Sequence, residues 1–93
     1  MKAKWKINDI ELTPDVATAI DAFVDEHPKY ADILDDRIND LLNFPELLWA
    51  SAVLDKKNPD RATFVTNHQQ IDLAGTANRS TGKVVITYFA FHI

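Results

Sequence analysis

Lys83-Val84-Val85-Ile86-Thr87-Tyr88-Phe89-Ala90-Phe91-His92-Ile93 is the stretch on which the reading of the fold turns. Its β-branched and aromatic residues favour a strand, and its apolar run is almost unbroken. Such a run predicts an interior strand covered on both faces, or one covered by a second copy of the chain. Val85, Ile86, Phe89 and Phe91 are its expected core residues. Immediately before it, Gly75–Gly82 carries Thr, Asn, Ser and two glycines and reads as a loop. Gln69–Leu73 alternates weakly, with Ile71 and Leu73 on one side and Asp72 on the other. Ala62–Thr66 and Trp49–Leu54 read as further strands, joined by a turn at Lys57-Asn58-Pro59-Asp60. Pro45, in Phe44-Pro45-Glu46-Leu47-Leu48, is placed to open a single helical turn before the extended part. The connections among these late strands are short, so the strands should be antiparallel.

The front half has a different period. Lys2–Ile10 alternates, with Ala3, Trp5 and Ile7 on one face and three lysines on the other, which predicts a strand with one buried side. Thr13-Pro14-Asp15 is a helix start: a capping hydroxyl, a proline whose missing N–H costs nothing at the first position, and a carboxylate facing the dipole. Val16, Ile20, Phe23 and Val24 follow at helical spacing, and His27-Pro28 ends the helix. A second helix is expected from Pro28 to Asn43, with Tyr30, Ile33, Leu34, Ile38, Leu41 and Leu42 as its apolar stripe. The expected fold class is α+β: an N-terminal strand, two helices, then a three- to four-stranded antiparallel sheet in a single domain spanning 1–93.

Composition narrows the functional classes. With 93 residues and no cysteine, the chain has neither disulfides nor thiol chemistry, and its core must carry the fold alone. No apolar run approaches the roughly 20 residues that span a bilayer, and no signal-peptide pattern is present, so a cytoplasmic protein without a membrane partner is expected. The net charge of −4 conceals three blocks. Residues 1–8 carry +3, residues 9–55 carry −10 and residues 56–93 carry +3. An acidic whole argues against general nucleic-acid binding, while a locally basic face leaves RNA as a partner. The carboxylates Asp32, Asp35, Asp36 and Asp40 should form a solvated helix face.

No phosphate-cradling glycine loop, nucleophile elbow or helical histidine pair occurs, and neither a metal nor a cofactor is expected. The candidate catalytic residues are His92, His68 and Arg79, with Arg61, Lys83 and Lys56 as substrate-binding residues. Histidine exchanges a proton near neutral pH, and arginine grips a phosphate through a bidentate fork. Metal-free attack by a ribose 2′-OH needs those roles: a base, an acid and a cation.

Leu12-Thr13-Pro14-Asp15, two helices, Phe44-Pro45-Glu46-Leu47 and the apolar last strand together resemble the RelE/ParE-type toxins, within the wider barnase- and RelE-like nuclease group. The resemblance covers most of the chain as element order. It implies a toxin of a toxin–antitoxin pair, acting as a metal-free RNA endonuclease or as a binder of a cellular target. Phe91-His92-Ile93 matches the histidine that takes part in mRNA cleavage on the ribosome in some members. The chain differs from that pattern in its acidity and in carrying Gln69–Leu73 where the family has an arginine-bearing strand. Implied partners are a cognate antitoxin or other protein, RNA or the ribosome, and a second copy as a homodimer. A different class of function follows from the acidic helical pair alone: a non-enzymatic protein-binding module such as an immunity protein, antitoxin or phage-type inhibitor.

Overall fold

The computed structural model describes residues 7–44, 48–49, 52–68 and 70–92. The first strand, β1 (Asp9–Leu12), leads into α1 (Pro14–Glu26). A 3-10 turn (Pro28–Tyr30) then connects to α2 (Ala31–Asn43), followed by β2 (Val53–Leu54), β3 (Arg61–His68), β4 (Ile71–Asn78) and β5 (Lys83–Phe91). The strands form one sheet in the order β1-β5-β4-β3-β2.

The α+β class is as expected, and the late strands pair antiparallel as their short turns dictate. The sheet nevertheless has five strands, not three or four, and it is mixed: β1 runs parallel to β5, from Asp9 opposite Lys83 to Leu12 opposite Ile86. Parallel neighbours need a long crossover, and everything from α1 to β4 supplies it here. The first strand is also later and shorter than its alternation suggested. Ile7 and Asn8 precede it, and the Lys2–Lys6 part of the expected strand lies outside the described residues.

The helix signals translate directly. Thr13 caps α1, its Oγ1 accepting from the Val16 N–H at 3.4 Å, and Pro14 takes the first helical position. His27 closes α1, its N–H donating to the Phe23 carbonyl at 2.8 Å. Pro28 begins a 3-10 turn rather than α2 itself, which starts at Ala31. Trp49–Leu54 departs from expectation: Leu48 and Trp49 are helical, and among the described residues of this stretch Val53–Leu54 pair as strand. Leu48 is fully buried, so core packing holds this turn against a local preference for extension.

The expected Gly75–Gly82 loop is contradicted. Gly75–Asn78 completes β4, and only residues 79–82 turn. Gly75 is in the strand because of what lies opposite. Ala74 pairs with Tyr88 and Gly75 with Ile86, so Thr87 is an extra residue on β5. At this bulge the backbones close up, and a Cβ on Gly75 would stand 2.0 Å from the Val85 carbonyl oxygen.

The bulge also explains the apolar run. β5 is interior, as read, but it is covered on one face only. Val84 and Ile86 are buried beneath the helices, and the extra residue shifts the alternation so that Phe89 and Phe91 point to that same face. Val85 is only partly covered, and Tyr88 on the open face is 52% exposed. The core joins Ile7, Val16, Leu34, Leu41 and Leu48 to Phe64, Ile71, Leu73, Val84 and Ile86. At one end an aromatic cluster closes it: Phe23 lies 4.5 Å from Phe91 and 5.6 Å from Phe89, and Tyr30 lies 4.8 Å from Phe91, between ring centroids.

Gly75→Ala is expected to destabilise the protein by at least the ~1–3 kcal/mol typical of overpacking, because backbone rather than a flexible side chain must yield. Urea unfolding measures the loss. A midpoint unchanged from wild type would show that the strands do not approach this closely.

Candidate functional site

Antiparallel pairing brings the start of β3, the end of β4 and the start of β5 into one row, Arg61–Asn78–Lys83. The β4–β5 turn is built to present this row. The Asn78 Oδ1 accepts from the Ser80 and Thr81 N–H groups at 2.9 and 3.1 Å, and Gly82 takes the positive φ of 76° that closes the turn. A cleft of about 260 Å³ lies here, with Arg61 and Lys83 among Asn58, Thr76 and Thr81. Two residues assigned to phosphate binding from the sequence therefore meet. Lys83 is already engaged, its Nζ 3.0 Å from the Glu11 carboxylate, which holds its pKa above the ordinary value, first by hydrogen bonding and then by charge. Arg79 does not line the cleft. It sits in the turn beside Asp60, Nε to Oδ1 at 3.8 Å, with its N–H donating to the Asp60 carbonyl. Lys56 is exposed in the β2–β3 connection, also outside the cleft.

His92 stands at the other end of the sheet. Its N–H donates to the Gln70 carbonyl at 2.8 Å, and its Nε2 is 2.5 Å from Asp72 Oδ2. Asp72 also accepts from Asn67 Nδ2 at 2.6 Å. These two hydrogen bonds, that from His92 foremost, hold the Asp72 carboxyl below its ordinary value. The set comes from pairing: Asn67 faces Asp72 across the β3–β4 hairpin, and Asp72 faces Ala90, two residues before His92. On the opposite, helical face, His27 lies beside this end, its ring centroid 6.3 Å from that of Phe91.

The sequence-predicted set is thus divided. His92 lies nine positions beyond Lys83 along extended chain, on the order of 30 Å at the usual rise per residue. A phosphate held by Arg61 and Lys83 lies far beyond the reach of His92. The backbone of His68 is at the His92 end, opposite Ile71, which pairs in turn with Phe91. His68 ends β3, and β4 lies between it and β5. Sequence reasoning missed the Asn67–Asp72 bracket. No local pattern marks it, because the β3–β4 turn lacks the Gly or Asn that ordinarily takes a positive φ there. Gln70 takes the positive φ of 70° instead.

The third feature is acidic. Asp32, Asp35 and Asp36 are exposed on α2, and Asp21 and Asp25 are exposed on α1. Asp40 departs from the expected free face, because Arg37 pairs with it at 2.8 Å. Among the described residues no group of three His, Cys, Asp or Glu is placed to hold a metal ion, and no helix is long and apolar enough to cross a membrane.

Fold and site together define a small α+β domain with helices on one face of a mixed sheet, an acidic helical layer and an Arg61–Lys83 cleft at one end of its strands. No protein-family model, curated protein or solved structure matches the chain.

A carboxylate held below its ordinary value stabilises the fold above that value and loses the contribution as pH falls through the lowered one. Asp72→Asn should therefore lower the melting temperature at neutral pH. The difference from wild type should close as the pH drops below the ordinary carboxylate value of 3.8. Thermal melts from about pH 7 to about pH 2.5 test this. A difference that persists through the acid limb would assign the effect to packing instead.

Proposed function

We propose that this chain is a small, non-enzymatic protein-binding module that covers a basic surface on its partner, in the manner of an immunity protein, an antitoxin or a phage-type inhibitor. The observation that carries this reading is the exposed row of carboxylates on the helical pair: Asp21 and Asp25 on α1, Asp32, Asp35 and Asp36 on α2. Like-charged groups held on one rigid layer raise the encounter rate with a cationic partner and discriminate against anionic ones. The distance between His92 and the Arg61–Lys83 cleft supports the same reading, because proton transfer and phosphate binding have no common centre among these residues.

The alternative is a RelE/ParE-type toxin, and one observation favours it. A strand and two helices precede a sheet whose interior strand leads straight to His92, held in a fixed orientation by Asp72. On that reading His92 is the proton-transfer residue of a metal-free endoribonuclease, and the cation at its phosphate comes from outside the Arg61–Lys83 cleft.

Induced expression separates the two. The module reading expects neither growth arrest nor RNA cleavage from wild type or from His92→Ala. The toxin reading expects both from wild type, and a loss of about 10²–10⁴-fold in cleavage rate from His92→Ala, with circular dichroism as the folding control. For the module, binding of a fluorescent oligolysine probe should weaken steeply between about 50 and about 300 mM salt as the charges are screened. Binding that ignores salt, or no binding, would overturn it.

A further inference from the structure

The two helices do not close on each other along their length. Between them lies a groove of about 480 Å³. Its floor is apolar: Ile20 and Val24 from α1, one turn apart, and Leu34 and Ile38 from α2, also one turn apart. Leu34 is buried at 2% exposure, whereas Ile20, Val24 and Ile38 are only partly covered, although all belong to the apolar stripes of their helices. Exposed carboxylates flank this floor, Asp21 and Asp25 on the α1 side and Asp35 on the α2 side, and among the described residues no cation lines the groove.

From this pairing we infer that the groove is the docking site for one amphipathic helix of basic character, an inference that rests on the module reading above and names its partner's binding element. Two ridges of apolar side chains, each repeating at the pitch of a helical turn, receive apolar side chains spaced i, i+3, i+4 and i+7 on a third helix. From Ala31 to Ile38 the groove runs about 10 Å at the helical rise, which matches two turns of such a helix. Lysine or arginine residues beside its apolar stripe would meet Asp21 and Asp25 on one side and Asp35 on the other. An acidic helix would face three carboxylates with no counter-charge. Docking covers Ile20, Val24 and Ile38, the floor residues that the helical pair leaves half-open.

The test measures anisotropy of a labelled amphipathic Leu/Lys helix of about 14 residues, against a scrambled peptide of the same composition. The amphipathic peptide should bind about tenfold more tightly than the scrambled one, and gain helicity by circular dichroism on binding. Asp21→Asn, Asp25→Asn and Asp35→Asn combined should weaken binding about tenfold, as expected for three exposed charge contacts. Asp9→Asn with Asp55→Asn, exposed outside the helical layer, should change it by less than about twofold. Ile38→Arg, checked for folding, should abolish it. Equal binding of both peptides, with equal losses from the two sets of variants, would overturn the groove and leave charge-driven binding standing. Failure of every cationic peptide to bind would remove both. Concentration-dependent dimerisation that Ile38→Arg abolishes would assign the groove to a second copy of the chain and overturn the inference.

Discussion

The close approach of Gly75 to β5 is the constraint on which the rest depends. One extra residue, Thr87, is accommodated there, and it changes which residues of β5 face the helices. In a regular strand, residues two apart share a face, so Val84 and Ile86 would be followed on the helical side by Tyr88 and Ala90. With the bulge, Phe89 and Phe91 take that side and meet Phe23. Aromatic pairs of this kind contribute about 0.5–1.5 kcal/mol each beyond their area. The same shift sends Tyr88, Ala90 and His92 to the open face, and so brings His92 onto Asp72. The aromatic closure of the core and the polar bracket at its rim are thus two consequences of one bulge.

The charge blocks in the sequence become spatial through the crossover. Because β1 and β5 are parallel neighbours, the acidic residues 14–43 lie in a helical layer over the sheet, while Arg61, Arg79 and Lys83 gather where β3, β4 and β5 begin or end. Charge within each region is partly compensated, by Glu11 at Lys83, Asp60 at Arg79 and Arg37 at Asp40. The carboxylates of the helical groove have no such cation beside them in its lining among the described residues. Among the described residues, the helical layer thus carries more uncompensated charge than the sheet end.

Local signals in the sequence were legible, and long-range ones were not. Thr13-Pro14 and His27-Pro28 bracket α1 because capping and proline geometry act within a few residues. The interior position of β5 followed from its composition. The parallel pairing with β1 did not, since it depends on contacts across more than seventy residues. Gly75 reads as a loop residue until the strand opposite is known, because its need for no side chain is set by the Val85 carbonyl and not by its own neighbours. The candidate site followed the same rule. Arg61 and Lys83 were singled out by type, and pairing brought them together. His92 was singled out too, but its partner Asp72, which also accepts from Asn67, comes from register that no local pattern displays.

The separation of His92 from Arg61 and Lys83 has a further consequence. A β-strand is stiff along its axis, so no rotamer change brings the two ends of β5 together, and any centre at His92 must draw its cation from elsewhere. The carboxylate nearest to it works against anion binding there. Asp72, already accepting from His92 and Asn67, places negative charge where a scissile phosphate would have to approach. Such a bracket is better suited to fastening the end of β5 onto the β3–β4 hairpin than to receiving a nucleic-acid backbone. Fastening that end also holds Phe91 against Phe23 and Tyr30, and with them the junction of α1 and α2. The polar bracket on the open face therefore supports, through one strand, the junction of the two helices.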